Sequence, residues 1–166
     1  AVDQRGVRVT GEGWEAVGMG ACASVEVRFE NAVALAVGEP GDYLQRPGFW
    51  QGGVGIAACW YGAAQRLAEA LRDQCSKRPE PHALAHLGAV DSALNSAACV
   101  LRASAERVDH APKANARMWA QQTRACIEDT VEQVMRHVGR AVGAGPYCKD
   151  PHFAQLMADL PVYVRQ

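Results

Sequence analysis

Long uninterrupted apolar runs are missing from this chain. No stretch approaches the roughly 20 apolar residues that span a bilayer, so no membrane partner is expected. Cys-x-x-Cys pairs are also missing. The six cysteines, Cys22, Cys59, Cys75, Cys99, Cys126 and Cys148, are scattered, several of them among alanines. A thiol in such a setting packs as a small apolar group. Reduced packing cysteines in a cytoplasmic protein are therefore expected, not a disulfide or metal framework. His82 and His86 stand four apart and can share a helix face, but no third ligand is near in sequence, so no metal site is expected. Charge of one sign is lacking too: 17 Lys and Arg face 18 Asp and Glu, for a net charge of −1. That removes the basic field that would draw nucleic acid. No Gly-Lys-Ser/Thr phosphate loop occurs. The chain opens on Ala1 without a signal-peptide pattern, and its first residues read like the inside of a sheet. The expectation is a part of a longer polypeptide.

What is present falls into two halves. Residues 5 to 37 read as β. In "SVEVRFENAVAL", Val25, Val27 and Phe29 alternate with Glu26, Arg28 and Glu30, the pattern of a strand with one buried and one wet face. Trp14 is an aromatic anchor before it. Two or three such strands are not stable alone; they need more strands or a helical surface. "GEPGDYLQRPG", from Gly38, breaks the pattern and marks a domain boundary.

Beyond it the spacing predicts helices over about Phe49–Ser76, His82–Val108, Asn115–Val142 and His152–Leu160. Leu84, Leu87, Val90, Leu94, Ala97 and Leu101 form the second helix's apolar stripe. Trp119, Ile127, Val131, Val134 and Val138 form the third's. Gly143, Gly145 and Pro146 are expected to stop the third helix, and Pro161 the fourth. The fold class is mainly α: an antiparallel four-helix bundle preceded by a short antiparallel β segment belonging to a β-domain. Gly52, Gly55 and Gly62, with alanines 57, 58, 63 and 64, make the first long helix small-sided. Each interior glycine costs about 1 kcal/mol against alanine. The expectation is that another backbone packs closely there and offsets the cost.

The order of features carries a resemblance. "WEAVGMGACASVEVRFENAVAL" is followed by the pair Arg46-Pro47, a small-residue helix, further long helices and the Gly-rich corner "RAVGAGPY". This resembles the acyl-CoA dehydrogenase family, from the end of its middle β-domain (1–38) through its C-terminal helical-bundle domain (39–166). The resemblance implies FAD held between the two domains and an acyl-CoA or related small-molecule substrate. It implies removal of the α-proton of an acyl thioester as a hydride leaves the β-carbon for the flavin. It further implies a homodimer or homotetramer built through the bundle, with an electron-transfer flavoprotein as a candidate partner.

Residue by residue, Arg46 is similar to the arginine that opens the family's first bundle helix near bound acyl-CoA. Gln45 falls where one branch of the family has its catalytic glutamate, and an amide cannot accept the α-proton. In the commoner branch, "LMADLPVYVRQ" resembles the approach to the catalytic segment; the base would follow Gln166, and Asp159 is structural. Arg140, Gly143 and Ala144 correspond to the family's Gln-x-x-Gly-Gly turn, where backbone approaches FAD of a neighbouring subunit. Arg140 replaces the glutamine and Ala144 the second glycine. The family's Arg-x-x-Phe-Gly has no counterpart in "QCSKRPEPHALAHL". Two other readings stay open. One is a flavin-dependent monooxygenase or nitroalkane oxidase-like enzyme on the same scaffold, for which Gln45 is compatible. The other is a non-catalytic helical oligomerisation module.

Overall fold

The computed structural model describes residues 1–22 and 24–166. Ala23, inside the segment that carries the resemblance, lies outside the described residues. The chain is mainly helical, with a two-stranded antiparallel sheet near its start.

Strands β1 (Val7–Val9) and β2 (Val27–Phe29) pair with Val7 opposite Phe29 and Val9 opposite Val27. The ladder continues as single contacts, with Thr10 N donating to Glu26 O and Leu35 N to Ala1 O. A half-buried strand was the expectation, but Val27 is 42% and Phe29 61% exposed. The alternation is present in the sequence, yet nothing among the described residues covers the apolar face. Attachment to the helices comes from the connection between the strands instead. Gly18 lies against a helix backbone so closely that a Cβ there would sit 2.0 Å from Ala158 O. The Met19 N–H donates to Asp159 Oδ1 at 2.5 Å, and Trp14 Nε1 donates to Gly18 O.

The helices are α1 (Asp42–Gln45), α2 (Pro47–Lys77), α3 (Pro81–His110), α4 (Arg117–Val142), α5 (Ala144–Lys149) and α6 (Pro151–Tyr163). Prolines set three of the starts. Pro47, Pro81 and Pro151 occupy the first helical turn, where a missing N–H costs nothing. Asp150 caps α6 by accepting from the His152 and Phe153 N–H groups. Long α2, α3 and α4 run up, down and up and pack on one another, and α6 lies against α2 and α4 but not α3. Their shared core contains Trp60, Leu67 and Leu71 of α2, Val90 and Leu94 of α3, Ile127, Val131, Val134 and Val138 of α4, and Phe153 and Leu160 of α6. Ser104 and Thr123 pair their hydroxyls across α3 and α4 at 2.8 Å, which satisfies two buried polar groups.

Several expectations need correction. Pro161 lies inside α6, two residues before its end, because in a last turn it removes one bond and no more. The Gly143 corner ends α4 but leads into the short helix α5. Gly143 has φ 66°, a left-handed conformation suited to glycine. Leu84, placed on the inner stripe by its spacing, is 45% exposed in the first turn of α3. The glycine face is the largest change. Gly52, Gly55 and Gly62 are exposed, and a Cβ at any of them would meet nothing within 4 Å. The buried face of α2 is the one carrying Val54, Ala57, Trp60, Ala64 and Leu67. Among the described residues, α3 is the one helix long and apolar enough to cross a bilayer by composition, although the sequence shows no unbroken run of that length.

Candidate functional site

The N-terminal ends of α2 and α4 lie side by side, because the two helices run parallel with α3 between them in sequence. Gln51 Nε2 of α2 donates to Pro112 O in the α3–α4 turn at 2.8 Å and fixes that neighbourhood. Between the α1–α2 elbow and the start of α4 is a cleft of ≈ 800 Å³. It is lined by Leu44, Gln45, Pro47, Phe49, Trp50, Lys113, Asn115 and Arg117.

Its apolar side is an aromatic stack. Tyr43 and Phe49 meet edge to face at 5.4 Å, and Phe49 and Trp50 at 5.1 Å. The Trp50 indole N–H donates to Leu44 O at 3.1 Å, which folds the elbow back on α2. Its polar side is cationic. Arg117 lies 5.5 Å from the Trp50 ring centroid, and its backbone N–H donates to Asn115 Oδ1. Lys113 and Arg117 form no ion pair among the described residues, and no carboxylate lines the cleft. Two cations without an ion-pair partner, beside the half-buried rings of Phe49 and Trp50, form a site for an anionic ligand with a flat or apolar part.

Arg46 lies at the same elbow but turns away. Its guanidinium covers the Tyr43 ring at 4.3 Å, and it does not line the cleft, whereas Gln45 does. Arg140, Gly143 and Ala144 are at the other end of the molecule, since 23 residues of α4 separate Arg117 from Arg140, roughly 35 Å at the helical rise. Arg140 is exposed and has no side-chain partner among the described residues. A Cβ on Gly143 would meet nothing within 4 Å, so that backbone is open to approach. The structure thus places Arg46 near one candidate surface and the other three residues on a second.

Lys113, Asn115 and Arg117 escaped the sequence reading. A signal was there: α4 begins with basic and no acidic residues, against the preference of a helix N-terminus for negative charge. Asp159 accepts from Met19 N and from Gln155 Nε2 and so ties the N-terminal segment to α6. The cysteines are free, but Cys22, Cys59, Cys99 and Cys148 are exposed, and Cys75 alone is buried among those described. Tyr163 is pushed above the ordinary tyrosine range by burial first and then by its Cys59 neighbour. His86 does not act with His82; it meets His137 of α4.

No protein-family model matches the chain, and no curated protein matches it.

Proposed function

We propose that the chain is the end of the middle β-domain and the C-terminal helical domain of an acyl-CoA dehydrogenase-like flavoprotein. On this reading residues 1–38 belong to the β-domain and 39–166 to the bundle, with α2, α3, α4 and α6 as its four helices and successive long helices antiparallel. The observation that carries the reading is the cleft at the Gln45-Arg46-Pro47 elbow. An acyl-CoA has a flat adenine, an apolar acyl chain and several phosphates. Trp50 and Phe49 offer surface for the first two, and Lys113 and Arg117 offer charge for the third. Arg46, the substrate arginine of the resemblance, rests on Tyr43 outside the cleft and would have to leave that ring to reach a bound ligand. Gln45 can orient a ligand through its amide but cannot take a proton from it.

Arg140, Gly143 and Ala144 fit the adenosine side of FAD, because the guanidinium is unpaired and the Gly143 backbone is uncovered. Bound there in an assembly, FAD would supply the hydride acceptor. The reading carries with it a cytoplasmic homodimer or homotetramer and an electron-transfer flavoprotein as redox partner. Gln45 equally suits a flavin-dependent monooxygenase or nitroalkane oxidase-like chemistry on this scaffold. A non-catalytic oligomerisation module is the second reading, favoured by the uncovered glycine face of α2.

The test is the colour and the titration of the purified protein that carries this chain. A yellow flavin spectrum with acyl-CoA bleaching supports dehydrogenation. Flavin without bleaching supports the monooxygenase or oxidase alternative. No colour and no FAD binding would overturn both and leave the oligomerisation module.

A further inference from the structure

His86 and His137 meet across the α3–α4 interface with their Nδ1 atoms 2.9 Å apart. The ring centroids are 5.1 Å apart and the planes cross at 61°. A centroid separation so close to the nitrogen gap plus two ring radii means that the nitrogens meet head on. Two lone pairs that converge on a third point, as a shared metal requires, would bring the centroids closer. The contact is therefore an N–H···N hydrogen bond, in which one ring donates and the other accepts. We infer that this pair is a proton-gated clasp that closes the beginning of α3 onto the end of α4 and opens on acidification.

One proton fits between the nitrogens. A neutral pair satisfies this when one ring is the Nδ1–H tautomer and the other the Nε2–H tautomer. A singly charged pair satisfies it as well, with the imidazolium donating. A doubly charged pair does not: two N–H groups then face each other at contact distance. The surroundings oppose that second proton. His137 is held below the usual value of 6.5 by partial burial first, then by His86 from α3 and by Arg136 and Arg140 from its own helix. Among the described residues, no carboxylate is one of the groups that act on His137.

The clasp matters because this end of α3 is thinly packed, with Ala83 and the half-buried Leu87 as its apolar contacts to the core before Val90. Between Pro81 and Leu87, Ala83 is the one buried residue, and full apolar burial begins at Val90. On the α4 side, Val134 and Val138 are fully buried and anchor His137. Acid should therefore free the first turns of α3 and leave α4 in place. The sign follows from linkage. With the closed-state pKa depressed, the open form binds more protons, so closure is complete above the ordinary histidine pKa and is lost as pH falls through and below it. This inference is independent of the flavoprotein reading.

Histidine ring NMR on the full chain tests it, with backbone hydrogen exchange at about pH 7.5 and about pH 5.5. The expected result is a His137 midpoint below 6.5, an N–H shared between the two Nδ1 atoms at the higher pH, and faster exchange over residues 81–90 at the lower pH after correction for intrinsic rates. His86→Gln should move the His137 midpoint upward and remove the acid-induced change in exchange. A His137 midpoint at or above 6.5 in the wild-type chain, with no N–H shared between the rings at the higher pH, would overturn the clasp, even if the variant fails to fold. Uniform acceleration across α3 and α4 would overturn the local opening.

Discussion

The Arg124 guanidinium lies over the Trp60 ring, 4.4 Å from its centroid. The same side chain donates to Gly53 O of α2 at 3.0 Å and to Gln166 O at 2.9 Å, so one residue of α4 joins α2 to the end of the chain. Trp60 is 1% exposed, meets Tyr163 edge to face at 6.1 Å, and its buried Nε1 has no hydrogen-bond partner among the described residues. Arg124→Ala is expected to lower stability by about 2 kcal/mol through the lost cation–π contact and charge-assisted bonds. Trp60→Ala should cost about 3–5 kcal/mol. Trp60→Phe should cost much less, because the indole N–H it removes is unpaired. Chemical denaturation of the three variants checks the order.

Gly18 and Asp159 make a second prediction. A methyl at residue 18 would run into the α6 backbone, and Asp159 accepts the Met19 N–H. Gly18→Ala and Asp159→Ala should each loosen the N-terminal segment by about 1–3 kcal/mol of local contact. Limited proteolysis should show faster cleavage between Gly20 and Pro40, with the melting of the helices little changed.

The glycines of α2 reverse the sign of the usual close-packing argument. With open space at each Cβ, Gly52→Ala, Gly55→Ala and Gly62→Ala are expected to stabilise the isolated chain by about 0.5–1 kcal/mol each. Thermal melting and light scattering should be read together. A variant that melts higher but loses self-association would show that this face serves contacts between copies.

In the cleft, Arg117→Ala or Lys113→Ala should weaken binding of a CoA thioester about tenfold, the loss of one cation–phosphate contact. Arg46→Ala should weaken it less, because Arg46 rests on Tyr43 outside the cleft. All three positions are exposed, so melting should move by less than about 0.5 kcal/mol. Calorimetric titration with and without added salt checks both statements.

The helices were legible because their signals are local. Pro47, Pro81 and Pro151 mark starts that the spacing placed within two residues, and of the α4 stripe Ile127, Val131, Val134 and Val138 are fully buried while Trp119 is half-buried. The candidate site was half legible. Arg46 and Gln45 stood out in sequence, but their different directions did not. Lys113 and Arg117 are more than 60 residues from them and enter only when α2 and α4 run side by side.

By itself, then, the sequence determined the long helices, their order and the break at Gly38, since periodicity, proline and glycine act within a few residues. Tertiary structure alone decided which face of α2 is buried. Glycine and alanine fill both of its sides, so hydrophobic spacing is nearly silent there, and Trp60 settles the matter by the partners it finds on α4 and α6. It also decided that His86 pairs with His137 and not with His82. A helix sets which residues share its face, but the register of two helices against each other is set by the whole packed interface.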